Sequence, residues 1–192
     1  MKSLLLFVIL ALALTGCISK SPSEPSPAIS KNLTLHQFNK DTGTTGWEIQ
    51  NDAVMGGLSQ GRLVLNQDGN ALFTGTISLD NNGGFSSFQR DFPPTDVSAY
   101  RTLCIGLKGD GKRYQVRVES TPGARHGYAF DFPTHGQWEV IEIPFEQMYP
   151  IHHGDRLDRP NYPGHTLSQL QILAGDGRAE SFRLEIDSIW FQ

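Results

Sequence analysis

Between Leu33 and Gln192 apolar side chains recur at every second position, the period that turns one face of a β-strand toward a core and the other toward water. Tyr114, Val116 and Val118 alternate with Arg113, Gln115 and Arg117, and Tyr128, Phe130 and Phe132 repeat the pattern. Leu103, Ile105 and Leu107 predict a further strand, as do Phe182, Leu184, Ile186 and Trp190. Shorter alternations cover 62–65, 72–79 and 139–143, and residues 167–173 form another strand-like run. Turn formers separate these segments: Asn81-Asn82-Gly83-Gly84, Pro122-Gly123, and two Gly-Asp-Gly triplets at 109–111 and 175–177 that read as hairpin turns. No helical period persists beyond two turns. Many short strands with Gly- and Pro-rich connections predict an all-β sandwich.

One stretch escapes the alternation. Residues 152–164 form a polar run bounded by Pro150 and the 167–173 strand, and a connection of this length is expected to be an exposed functional loop. Tyr149 and Tyr162 flank it and are the preferred contact residues for a partner or sugar, with His152, His153 and Asp155 between them. Adjacent histidines on an extended chain point to opposite sides, and no metal-ligand spacing is present, so these side chains read as a polar surface and no metal site is expected. Trp47 and Trp138 are expected inside the core.

The N-terminus has a different hydropathy pattern. Lys2 precedes an apolar run from Leu4 to Leu14, which is too short for a stable transmembrane helix and ends in Leu14-Thr15-Gly16-Cys17. This is the pattern of a bacterial lipoprotein signal peptide over 1–16. Cys17 would then become the lipidated N-terminus, carrying a diacylglycerol on sulfur and an acyl chain on its amine, enough chains for durable membrane attachment. Ile18 stands where an Asp would favour inner-membrane retention, so an outer-membrane protein facing the periplasm is expected. Residues 17–32, with Pro22, Pro25 and Pro27 among serines, read as a tether that reaches about 40 Å when extended. The remaining 33–192 segment suits a single domain.

Composition narrows the partners. Cleavage after Gly16 removes only Lys2 among the charged residues, leaving 15 basic and 20 acidic side chains and a net charge of −5. No basic stripe is present, which argues against nucleic acid. With Cys17 lipidated, Cys104 has no disulfide partner, and among alternating aliphatics it reads as a small buried hydrophobe.

The strongest local motif is Asn51-Asp52 followed by Gly56-Gly57 and Ser59. Two readings are open. The Asn and Asp oxygens, with glycines allowing close backbone approach, suit a ligand or Ca²⁺ contact; they equally suit a bend in which both side chains bond local backbone. No catalytic constellation emerges: Ser86-Ser87 lacks a nucleophile elbow, and pairs such as Glu142 with Glu146 or Asp155 with Asp158 carry no readable geometry. No enzyme activity and no cofactor are expected.

Trp47-Glu48-Ile49-Gln50-Asn51-Asp52-Ala53-Val54-Met55-Gly56-Gly57-Leu58-Ser59 resembles the opening motif of the complex I intermediate-associated protein 30 family. Gly84-Phe85-Ser86-Ser87, the 107–114 segment, Trp138 ahead of Ile143-Pro144-Phe145, and the 182–189 segment extend the resemblance from about Phe38 to Phe191. It implies a jelly-roll sandwich of the galactose-binding-like type. Asp96 to Tyr100, leading into a strand and a Gly-Asp-Gly turn, resembles carbohydrate-binding modules of that fold. The expected function is therefore that of a non-catalytic envelope lipoprotein whose domain binds a protein partner or a glycan. The alternative that the resemblance implies is an assembly factor for a membrane respiratory complex of the NADH dehydrogenase kind.

Overall fold

The computed structural model describes residues 32–192. The expected signal peptide, Cys17 and nearly all of the tether lie outside the described residues.

Two antiparallel sheets pack face to face. The first runs β3 (Gln60–Leu65), β4 (Ala71–Ile77), β13 (Glu180–Phe191), β6 (Thr102–Lys108), β9 (Trp138–Pro144), with β1 (Leu33–Gln37) paired to the second half of β13. The second runs β11 (Asp155–Arg156), β10 (Tyr149–His152), β8 (Gly127–Pro133), β7 (Arg113–Glu119), β12 (Thr166–Ala174), β5 (Ser86–Asp96), β2 (Glu48–Asn51). The period-two pattern puts Phe73, Leu103, Ile105, Leu107, Leu184 and Ile186 on the inner face of the first sheet. Phe88, Val116, Val118, Phe132, Leu170 and Ile172 meet them from the second. A chain of rings from Trp47 through Phe88 and Phe73 to Phe182, with centroids 5.3, 4.9 and 4.6 Å apart, joins the layers. Edge-to-face and tilted contacts at this spacing add to the burial of large apolar surfaces.

The two Gly-Asp-Gly turns are not hairpins. The first leads from β6 in one sheet to β7 in the other, and the second from β12 back to β13, so both are arches between layers. Turn chemistry makes the chain reverse but does not choose the sheet it enters. Asp110 stitches the first arch: its carboxylate accepts from Tyr114 Oη of β7 (3.0 Å), Lys112 Nζ (3.0 Å) and the backbone N–H of Arg183 in β13 (2.9 Å).

The polar run after Pro150 is shorter as a loop than its composition suggests. Tyr149–His152 and Asp155–Arg156 form a small hairpin closed by His153 (φ 51°) and Gly154 (φ 93°), a pair of positive-φ residues suited to a tight primed turn. The chain then returns across the sandwich as residues 157–165.

Candidate functional site

The Asn51–Ser59 motif folds as a knot at one end of the sandwich. Asn51 closes β2, a 3₁₀ turn follows at Asp52–Met55, and Gly56 ends it in the left-handed region (φ 88°). Asp52 is buried, and its carboxylate accepts from Ser59 N (3.0 Å), Ser59 Oγ, Gly84 N (2.7 Å) and Phe85 N (3.3 Å). Burial alone would raise its pKa, but the hydrogen bonds from Ser59, Gly84 and Phe85 outweigh that and hold it below the ordinary value. A Cβ at Gly57 would overlap the Asp52 carboxyl, which is why a glycine stands there. Asn51 Oδ1 accepts from Gly61 N (3.1 Å) and Ser86 Oγ (2.7 Å). The acceptor oxygens of both side chains are thus turned onto the protein itself, but onto Ser59, Gly61, Gly84, Phe85 and Ser86, distant in sequence, rather than onto the local backbone that the bend reading expected.

The outward face of the second sheet is organised differently. Register aligns Glu48, Gln89, Gln171, Arg117, Ala129 and Tyr149 in one row across β2, β5, β12, β7, β8 and β10. At the usual strand spacing this row is about 24 Å long. A parallel row holds Gln50, Ser87, Leu173, Gln115 and Asp131, and Asp91, Gln169 and Glu119 lie on the other side. These side chains lie against one another rather than standing in water: Ser87 and Ala129 are 0% exposed, Leu173 6% and Gln171 8%, although all point away from the core.

Hydrogen bonds lock much of this face. Gln171 Nε2 lies within hydrogen-bonding distance of Ser87 Oγ (3.0 Å), Gln50 Oε1 (3.2 Å) and Gln89 Oε1 (3.3 Å). Gln115 Nε2 donates to Asp131 Oδ1 (2.8 Å) and Tyr149 Oη (3.0 Å), Tyr149 Oη donates to Asp131 Oδ2, and Arg117 Nε donates to Gln115 Oε1. The Arg156 guanidinium sits 4.7 Å over the Tyr149 ring. Burial pushes the Tyr149 phenol up to about 12, aided by Asp131, so it stays protonated and keeps its hydrogen bond to Asp131. Burial shifts Arg117 downward from its ordinary range, opposed by Tyr149 and Asp131. Burial also raises Glu119, with the neighbouring Asp91 charge adding to it. Among the described residues the two terminal nitrogens of Arg117 have no hydrogen-bond partner, leaving a planar fork of donors in the middle of the face. Perturbed ionisable groups gathered on one surface mark a candidate site.

The predicted contact residues divide. Tyr149 joins this face. Tyr162 does not: it is 3% exposed, packs against Tyr128 and Phe145, and donates to Thr166 O at 2.8 Å. The expectation that it contacts a partner is corrected, because the strap carrying it folds back onto the core. His152, His153 and Asp155 are exposed at the small hairpin, and the two imidazoles meet edge to face at 4.1 Å instead of pointing apart, because the chain turns at His153. Trp47 is a core residue as expected, but Trp138 is 48% exposed on the outward face of β9. Its neighbours Ile141 and Ile143 carry the inward phase of that strand, so Trp138 falls on the outer phase. Cys104 is fully buried, and burial raises its thiol to about 11, the state of an inert side chain. Arg117, Gln115 and Gln171 were visible in the sequence only as polar positions of their strands, and Gln89 not at all, since it lies in β5, for which no strand was expected.

The profile of the complex I intermediate-associated protein 30 family matches residues 36–186. The chain belongs to this family. No curated protein matches it by sequence. Solved structures add the fold of this complex I intermediate-associated protein 30 domain. A family 11 carbohydrate-binding module from Clostridium thermocellum, in complex with a β-1,3-1,4-mixed-linked tetrasaccharide, superposes with a TM-score of 0.58 at 16% identity, over 83% of this chain and 94% of that one. A family 29 carbohydrate-binding module gives 0.50 at 10% identity, over 85% and 92%. Part of an exo-β-agarase gives 0.52 at 12% identity, over 83% of this chain and 24% of that one. The domain thus has the jelly-roll sandwich fold of carbohydrate-binding modules.

Proposed function

We propose that the domain is a non-catalytic glycan-binding module, and that the outward face of the second sheet is its binding surface. The observation that carries this is the row of polar side chains from Glu48 to Tyr149, interrupted by Ala129, much of it held by hydrogen bonds and with the terminal nitrogens of Arg117 unpaired among the described residues. A sugar chain offers hydroxyls that both donate and accept, and the Gln amides, Asp131 and Arg117 bring donors and acceptors together on one sheet face. Rigid groups lose little entropy on binding. The likeness to carbohydrate-binding modules supports the reading at the level of fold.

In the proposed setting the module is carried by a lipoprotein: Cys17 anchors it, residues 18–32 lift it from the membrane, and the glycan is one met at the bacterial envelope, on the periplasmic side of the outer membrane. The test is retention on immobilised glycans, including the mixed-linked β-1,3-1,4-glucan and peptidoglycan. Wild type is retained on at least one, and Arg117→Ala with Gln171→Ala is not; equal retention of both proteins contradicts the assignment.

Family membership favours a second reading, an assembly factor for a membrane respiratory complex. It requires that a deletion strain lose membrane NADH dehydrogenase activity, and normal activity removes it.

A further inference from the structure

The opposite surface of the sandwich carries a second feature that the glycan-binding face does not use. A cleft of about 740 Å³ opens on the outward side of the first sheet. That volume falls within the range of small-ligand sites. Trp138 and Val140 form one wall, 48% and 52% exposed on the same phase of β9. Gly106 forms the floor, directly opposite Val140 in register. A Cβ there would come within 3.2 Å of Ser188 Oγ, so the glycine lets the Asp187–Ser188 bulge of β13 lie close over β6.

The far wall is polar and stands on a hydrogen-bonded backbone. A bulge between Ile186 and Ser188 in β13 brings Asp187 to the cleft, and bulges re-aim side chains in this way. Gln37 Nε2 and Ser188 Oγ, both at 2.9 Å, hold its carboxylate. Asp68 and Asn70 come from the β3–β4 turn, where Asn66 Oδ1 accepts from their backbone N–H groups at 3.0 and 2.9 Å. Among the described residues the side chains of Asp68 and Asn70 have no hydrogen-bond partner. Glu139, at the rim, is taken up by His135 at 2.7 Å, and Lys108 adjoins Trp138 in register.

An indole wall opposite a set of acceptors, of which Asp187 is held in place, suits a ligand with one apolar face and several hydroxyl donors. A pyranose has this character, because its axial C–H groups form an apolar face and its hydroxyls ring the edge. Three carboxylates around the cleft, Asp68, Glu139 and Asp187, disfavour an anion. We infer that this cleft is a second saccharide subsite, taking a neutral sugar stacked on Trp138 with its hydroxyls on Asp68, Asn70 and Asp187. The inference rests on the glycan-binding reading and extends it: the domain holds sugar on both outer faces of the sandwich and links two glycan segments. Two weak sites joined in one rigid body raise avidity on a polymer without new contacts.

Nuclear magnetic resonance of the indole N–H signals tests this, with the Trp138 signal assigned by its loss in Trp138→Phe. The probes are the mixed-linked β-1,3-1,4 tetrasaccharide, cellotetraose and tetra-N-acetylchitotetraose, titrated into wild type and into Arg117→Ala/Gln171→Ala. The expected result is a saturable shift of the Trp138 signal in both proteins with at least one probe. Trp138→Ala and Asn70→Ala then each weaken that site at least tenfold, with unchanged melting temperature. A Trp138 signal that stays fixed while the side-chain amide signals of Gln89, Gln115 and Gln171 on the second sheet move overturns the second subsite and leaves the glycan-binding reading standing. If no signal on either face moves with any probe, both fall.

Discussion

The carboxylate of Asp52 accepts a hydrogen bond from the backbone N–H of Gly84 at 2.7 Å, across 32 residues of sequence. Through it the end of β2 is tied to the start of β5, and Ser59 and Phe85 close the same knot. Replacing Asp52 by Ala leaves three backbone N–H groups without their acceptor and is expected to cost about 3 kcal/mol. Gly57→Ala is expected to be comparably harmful, since its Cβ takes the space of the carboxyl. Thermal melts check both. Ca²⁺ is expected to shift neither wild type nor mutant; a Ca²⁺-dependent rise confined to wild type contradicts the structural role.

The same knot sets a pH dependence. Because the folded pKa of Asp52 lies below its unfolded value near 3.8, its contribution is fully present above that value and is lost as pH falls toward the folded pKa. The stability gap between wild type and Asp52→Asn is therefore expected to be constant from pH 5 to 8 and to narrow below about pH 4. A gap that widens in acid contradicts this, as urea unfolding at each pH will show.

Glu119 behaves in the opposite sense. Burial and Asp91 raise its folded pKa, so the folded state holds that proton more tightly and stability falls as pH rises through the raised value. Glu119→Gln is expected to melt higher than wild type at pH 7 and to lose that advantage near pH 3.5. No difference at pH 7 would mean that the charge is solvated on this face.

Tyr149 and Tyr162 separate surface from core. Tyr162→Ala empties a buried aromatic site between Tyr128 and Phe145 and is expected to cost about 3–5 kcal/mol. Tyr149→Ala, half-buried on the outer face, is expected to cost far less while weakening glycan retention. Chemical denaturation of the two variants reads the contrast directly.

For the anchor, Cys17→Ser is expected to abolish incorporation of a fatty-acid analogue and to leave precursor or soluble protein. Labelling that persists in the mutant contradicts lipidation at that residue.

The alternating strands were legible because inward side chains of a two-layer sandwich must repeat with period two. β5 was not, since Gln89, Arg90 and Asp91 and the pair Pro93-Pro94 break its apolar pattern, and β1 and β2 are too short to show one. The candidate face was half legible. Gln115 and Arg117 declare an outward phase, but only the order β8-β7-β12-β5 brings them beside Gln171 and Gln89, and that order depends on contacts distant in sequence. The place of Trp138 in a family motif ahead of Ile143-Pro144-Phe145 suggests a core residue, whereas the strand phase set by Ile141 and Ile143 puts it outside. Tyr162 sits among exposed polar residues in sequence, and only the return of its strap over Phe145 buries it.

The most direct test of a glycan-binding second sheet is chemical-shift mapping of ¹⁵N-labelled protein during titration with the mixed-linked β-1,3-1,4 tetrasaccharide and peptidoglycan fragments. The side-chain amide signals of Gln89, Gln115 and Gln171 and the Arg117 Nε–H signal are expected to move together and to saturate at one concentration. Signals on this face that stay fixed with every glycan, while binding is registered elsewhere or not at all, contradict the proposed function.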